Sequence, residues 1–239
     1  MQESGSTRQA ALPLAAFVAP PRPSAQPIGN PVLQPLSAAR HASDLFRAQA
    51  GQGDLWTYMP YGPFADLGEY RTWVEGAEAS RDPFYLAILD PETARALGHA
   101  SFMRIDTANG VIEIGNILLT PALQRGRTAS AALMAMIAWA FDHGYRRVEW
   151  KCNALNRPSR RAALRLGFTY EGTFRNHMIV KGRNRDTAWF AITDDDWALL
   201  APAHAAWLDP ANFDAQGQQR RSLSALTERA LPGRRDGPA

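Results

Sequence analysis

The sequence predicts a mixed α/β sheet in one domain, and three observations carry that prediction. Strand-like and helix-like segments follow one another in the order ββ(β)αβαββ through the middle of the chain, an order that suits a mixed sheet flanked by helices. The 239 residues, 46% hydrophobic and 21% charged, are enough to bury a single core without added staples. One cysteine, Cys152, excludes an internal disulfide framework and any zinc site built on several thiolates. The domain is expected over 30–208, with a flexible Ala/Pro-rich arm at 1–29 and a basic tail at 209–239.

Each element has its own signature. Seven of the 17 prolines lie between Pro13 and Pro35, which marks the arm. Val32–Leu36 reads as a short edge strand, and Ser37 as the cap of a helix reaching Gln49. Asp54–Phe64 gathers Trp56, Tyr58, Tyr61, Phe64 and two prolines into a loop. A second helix at Asp66–Ala79 carries Leu67, Tyr70 and Val74 on one face. Strands follow at Phe84–Leu89, Ala96–Ile105 and Val111–Leu119, the last broken by Gly115-Asn116, the mark of a bulge. A polar turn, Gln124–Thr128, opens a helix to His143 that is apolar on nearly all sides and therefore packs on a sheet. Arg147–Cys152 is a strand, and Arg157–Leu166 a helix stopped by Gly167. Thr169–Val180 and Arg185–Ile192 form a hairpin around Lys181-Gly182-Arg183-Asn184, and Asp194–Leu208 is a further helix.

Charge and motifs narrow the function. Of the net charge of +3, the tail 216–239 alone supplies +3 and residues 1–30 another +1, leaving 31–215 at −1. A region so near neutrality has no obvious footprint for nucleic acid. The longest strictly apolar run, Ala131–Phe141, is far below the roughly 18–20 residues of a membrane span. Ala10–Pro20 imitates a signal core, but Glu3 precedes it and prolines interrupt it. A cytoplasmic location is expected. The chain has no P-loop, dinucleotide fingerprint, nucleophile elbow or zinc-protease motif. His41, His99, His143, His177 and His204 lack ligand spacing, so no metal is expected.

The informative segment is Glu113–Ala129, EIGNILLTPALQRGRTA. A bulged strand runs there into a turn whose backbone amides open a long helix. Such a start offers unpaired N–H groups and partial positive charge to a phosphate. Gly126 permits close approach, and Arg125 and Arg127 bring guanidinium groups.

Further motifs extend that segment into a resemblance. E-I-G-N-x-L at 113–118, R-G-R-T-A at 125–129, V-E-W-K-C-N-A-L-N-R-P-S at 148–159, L-G-F at 166–168 and E-G at 171–172 stand in order. Over about Asn30–Trp197 the chain resembles the GNAT superfamily of N-acetyltransferases, and within it the RimJ/RimL-type branch that acetylates ribosomal proteins. The resemblance implies a mostly antiparallel mixed sheet, split by a V-shaped opening that admits acetyl-CoA. It places the pyrophosphate on the amides of Arg125, Gly126, Arg127, Thr128 and Ala129, and the pantetheine arm along Ile117, Leu118 and Leu119. Asn156 and Ser159 contact the cofactor from the second helix start. The superfamily's [QR]-x-x-G-x-[GA] becomes Leu123-Gln124-Arg125-Gly126-Arg127-Thr128 here, which backbone binding survives.

The implied activity is attack by a primary amine, on a protein N-terminus or a small molecule, at the thioester of acetyl-CoA. A CoA-binding module without turnover is the alternative. Many relatives use a Tyr four residues before the Gly of the G-F pair, where this chain has Ala163. Ser159 matches the serine that protonates the leaving thiol in the ribosomal-protein branch, or else simply caps its helix. Glu113, on the bulged strand, is one candidate base and otherwise a surface glutamate. His177 is another, although Met178 occupies the aligned position of the branch's glutamate. Cys152 matches a cysteine of the branch and reads as core. Trp56, Tyr58 and Tyr61 either wall the acceptor site or pack. A homodimer is compatible with this reading.

Overall fold

The computed structural model describes residues 17–24, 28 and 32–234. Their elements are β1 (Leu33–Pro35), α1 (Ala38–Ala48), α2 (Leu67–Ala79), β2 (Phe84–Leu89), β3 (Ala96–Asp106), β4 (Val111–Leu119), α3 (Arg127–Asp142), β5 (Arg147–Asn153), α4 (Arg157–Leu166), β6 (Thr169–Val180), β7 (Arg183–Thr193), α5 (Asp194–Leu208) and α6 (Leu223–Ala230). The strands form one sheet in the order β1-β2-β3-β4-β5-β7-β6. All neighbours are antiparallel except β4 and β5. The α3 crossover returns the chain in the same direction between those two, as a parallel pair requires.

Alternation along the strands assigns the two faces. Ile112 and Ile114 of β4, Val148 and Trp150 of β5, and Ala188, Phe190 and Ile192 of β7 join the buried residues of α3 in the larger core. On the opposite face, Tyr85, Ala87, Leu89 and Leu118 meet α1 and α2. The second faces of β5 and β7 carry Arg147, Glu149, Lys151 and Trp189 instead, in register with one another.

Local chemistry fixes the helix ends. Asp66 caps α2 by accepting from the Glu69 N–H, while the Glu69 carboxylate accepts from the Ala65 N–H, a reciprocal closure of two open donors. Asn156 caps α4, and Gly167 ends it in the left-handed region at φ 103°. A Cβ there would also meet the Leu200 side chain at 2.7 Å, so the glycine of the L-G-F motif has a structural cause. Thr193 and Asp196 form a capping box at α5.

Four expectations need correction. Ser37 starts α1 without a side-chain cap; its N–H donates to Nδ1 of His41 instead. The β6–β7 turn is tighter than read, with Lys181 and Gly182 both at positive φ, as a two-residue hairpin turn requires. The described part of the arm, 17–24, is tied down: Pro21 O accepts from the Tyr145 hydroxyl and Arg22 donates to Ile105 O. Residues 1–16 lie outside the described set.

The tail, expected to be solvated, packs against the domain. α6 buries Leu223 and Thr227, and the Thr227 hydroxyl donates to Arg165 O at 3.3 Å. Its arginines hid the S-L-x-x-L-T pattern that supplies this face. Leu223→Ala should therefore lower the unfolding free energy by about 2–5 kcal/mol, read from a denaturant midpoint. An unchanged midpoint would mean that α6 does not pack.

Candidate active site

The site begins at the bulge in β4. Ser101 of β3 faces Gly115, and His99 faces Leu118, so Asn116 and Ile117 together oppose Ala100. Asn116 absorbs the extra residue at φ 49°, a conformation that Asn tolerates better than most side chains. The Asn116 carbonyl accepts from Nδ1 of His99 at 3.0 Å. Its amide group donates to Ser101 Oγ at 3.0 Å, and that hydroxyl donates to Gly115 O at 3.2 Å. Gly115 is small because a Cβ would strike the Met103 sulfur at 2.5 Å.

β4 and β5 pair only at Val111–Arg147, Ile112–Val148 and Glu113–Glu149. Beyond Glu113 they part, which leaves the β4 edge at Ile117, Leu118 and Leu119 without a strand on that side. This opening leads to the start of α3. Gly126 precedes its first turn, and no side chain caps it. The amides of Arg127, Thr128 and Ala129 are thus available to an anion at the positive end of a 16-residue helix. A Cβ on Gly126 would stand 3.1 Å from Leu123 O, so the turn has little room for a side chain. Arg125 is exposed and takes the left-handed conformation, φ 59°.

The Arg127 guanidinium is not part of this cradle. It donates to Leu208 O and stacks on the Phe213 ring at 4.3 Å. The segment after α5 engages it, which its position in the motif did not reveal.

On the α3 face, Asn156 Oδ1 accepts from the Ser159 N–H at 3.1 Å. The Ser159 hydroxyl accepts from the Trp150 indole at 3.0 Å, so its own O–H acts as a donor, with the Cys152 sulfur as one partner. Cys152 lies beside it; burial pushes the thiol up, and the Ser159 hydrogen bond opposes that shift.

The other candidates lie on the opposite face. Glu113 is buried and paired with Lys151 at 3.1 Å and Arg104 at 3.3 Å. Burial raises its carboxyl, while both cations, Lys151 foremost, pull it back. His177 donates to or accepts from Thr187 Oγ1 through Nδ1 at 3.0 Å, and its ring faces Trp189 at 5.9 Å. Lys151, 3.9 Å above the Trp189 ring, stands between the two candidates.

In the aromatic loop, Trp56 is core, 3% exposed, with Phe64 at 5.4 Å and Tyr61 at 6.0 Å. Tyr58 reaches across to donate to Leu155 O at 3.2 Å, and Lys181 donates to Trp56 O at 2.9 Å. The loop thereby bridges to both the β5–α4 connection and the β6–β7 turn.

A family model, the acetyltransferase (GNAT) domain, matches residues 32–169. The chain belongs to the GNAT acetyltransferase family. A crystal structure of a GCN5-related N-acetyltransferase from Brucella melitensis is 41% identical, with TM-score 0.85, covering 89% of this chain and 98% of that one. A probable GNAT-family acetyltransferase from Chromobacterium violaceum is 38% identical, with TM-score 0.73, covering 77% and 94%. The uncharacterised N-acetyltransferase p20 of Bacillus licheniformis is 30% identical, over 61% of this chain and 83% of that protein. This GNAT chain is an acyltransferase, and its opened sheet and bare helix start fit acetyl-CoA. Among the described residues no cluster of His, Cys, Asp or Glu could hold a metal ion, and no helix is long and apolar enough to cross a membrane.

Sequence reasoning passed over His99, Lys151, Arg185 and Trp189, because strand alternation alone does not show which face stays open. His99 is fully buried, and burial lowers its pKa from 6.5 to about 4. Between those values the unfolded chain holds the extra proton, so folding weakens as pH falls from 6.5 towards 4. The loss at pH 4 is on the order of 3 kcal/mol. Urea midpoints measured across that window should fall less steeply for His99→Asn than for the parent. Parallel curves would show that His99 stays protonated in the fold.

Proposed function

We propose that the protein transfers the acetyl group of acetyl-CoA to a primary amine, and that donor and acceptor meet from opposite faces of the sheet. The observation that carries this is the parting of β4 and β5 beside an uncapped helix start, with Ser159 on one face and Glu113 and His177 on the other. Bound acetyl-CoA supplies an activated acyl group. The amides of Arg125, Arg127, Thr128 and Ala129 hold its pyrophosphate, while the Gly126 N–H is taken by Leu123 O, and the free β4 edge at Ile117–Leu119 aligns its arm, which converts most of the barrier into positioning. An amide at the bulge faces the carbonyl oxygen.

Ser159 relays to the leaving sulfur the second proton that the acceptor nitrogen sheds as the amide forms, and the Trp150 indole holds its oxygen. Glu113 takes the ammonium proton of the acceptor through water. Burial raises the proton affinity of its carboxyl, and Lys151 and Arg104 oppose that rise. His177 is the second base candidate, from the far side of Trp189. Tyr58 and Tyr61 border the acceptor entrance. Trp56 supports that loop from beneath. On the cofactor side, the Ser159 and Cys152 positions favour likeness to the RimJ/RimL-type branch, which leaves the acceptor class open, and a cytoplasmic acetyl-CoA supply suits the reaction.

Gly126→Glu places a bulky anion in the phosphate cradle. Calorimetry should show acetyl-CoA affinity falling at least about tenfold, the loss of one charge-assisted contact, while circular dichroism stays unchanged. Retained affinity would move the cofactor elsewhere. Ser159→Ala should lower kcat more than it raises KM for acetyl-CoA. Asn156, not Ser159, caps α4, so a serine that only anchors the Trp150 indole would instead cost about 1 kcal/mol of stability with little kinetic effect.

A further inference from the structure

The half of the sheet that α1 and α2 leave uncovered carries charges from neighbouring strands, and nearly all are paired. Arg147 binds Glu149 at 2.9 Å and Glu171 at 2.8 Å. Lys151 lies between Glu149 at 2.6 Å and Glu113 at 3.1 Å, and Arg104 reaches Glu113 at 3.3 Å. Arg175 of β6 and Arg183 of β7 are exposed to solvent, and Arg185 of β7 is the half-buried exception. Among the described residues its guanidinium has no ion pair, and its Nε is buried without a hydrogen-bond partner. The groups that act on it electrostatically include Glu113 of β4 and Cys152 of β5, the two strands that part. The place of Arg185 on β7 is just past the end of the β5 ladder at Asn153–Thr187, where Asp186 O accepts from the Ala154 N–H.

A second donor on the same strand is also unmatched. Trp189 alternates onto the same face as Arg185, and its indole N–H is buried without a partner. Phe174 at 4.7 Å and His177 at 5.9 Å flank that indole. Leaving buried donors unpaired costs stability, and an arriving anion offsets that cost. The planar guanidinium matches a carboxylate in two parallel hydrogen bonds.

We propose that Arg185 recognises a carboxylate on the acceptor, so that the amine substrate is a small amino-acid-like molecule. This rests on the acetyl-transfer reading and names its acceptor class. Charge supports it: Arg104, Arg147, Lys151, Lys181 and Arg185 outnumber Glu113, Glu149 and Glu171, and an acceptor carboxylate reduces that surplus. Size supports it too. The bridges from Tyr58 to Leu155 O and from Lys181 to Trp56 O narrow access to this face for a folded protein's N-terminus.

The test uses products, so that amine basicity does not differ between partners. CoA-saturated protein is titrated by calorimetry with the N-acetyl derivatives of Gly, Ala, Leu, Met, Phe and Glu, each as free acid and as carboxamide. Acetylated tripeptides bearing a side-chain carboxylate form a third arm. At least one free acid should bind about tenfold or more tighter than its amide, as expected of a charge-assisted contact. Arg185→Gln should erase that preference, Arg185→Lys should keep part of it, and CoA affinity should not change. Equal binding of acid and amide in every pair, or no binding by either, overturns the proposal. So does a preference that survives Arg185→Gln, or tripeptides that outbind every free acid. Failure of the parent protein to bind CoA at all would instead remove the acetyl-transfer reading on which the proposal rests.

Discussion

The left-handed backbone of Asn116 is the constraint on which the rest of the site depends. One extra residue in β4 must be absorbed between Gly115 and Leu118, and its hydrogen bonds with His99 and Ser101 hold it there. A bulge bends its strand and increases the local twist. Here the strand turns away from β5 after three paired residues, where an unbroken β4 would continue the ladder. The buried, neutral imidazole of His99 is part of this device. Its Nδ1–H can only donate to a carbonyl, so its tautomer is fixed by the bulge it supports.

Parting the strands gives the sheet a passage between two chemically different faces. The α3 face is apolar apart from the helix starts, and it presents amides and the Ser159 hydroxyl. The other face carries Glu113, Lys151, Arg185 and His177 against aromatic rings. Such a division suits a reaction in which one proton leaves an ammonium and another reaches a thiolate, because the two sites need not compete for the same groups.

Much of this was legible in the sequence because it is local. Gly115-Asn116 interrupts a β-favouring run, Asn156 and Gly167 bracket a short helix, and the apolar stretch after Thr128 requires a sheet to pack on. Each signal resides within a few residues. What escaped depends on distant partners. Arg127 looks like a phosphate ligand until Leu208 and Phe213 are placed beside it. Trp56 looks like a pocket wall until α1 and α2 close over it. The arginines of the tail conceal a helix whose apolar face acquires meaning only against α4 and α5. Arg185 resembles any hairpin arginine, and only the full set of ion pairs shows that it lacks one.

The central claim, that the bulge opens a passage leading to the α3 amides, is tested most directly by hydrogen–deuterium exchange with and without acetyl-CoA. The account predicts slowed exchange over residues 114–130 and 153–160, with α2 unchanged. Protection confined to α2 or to the C-terminal segment, with 114–130 exchanging as before, would contradict it.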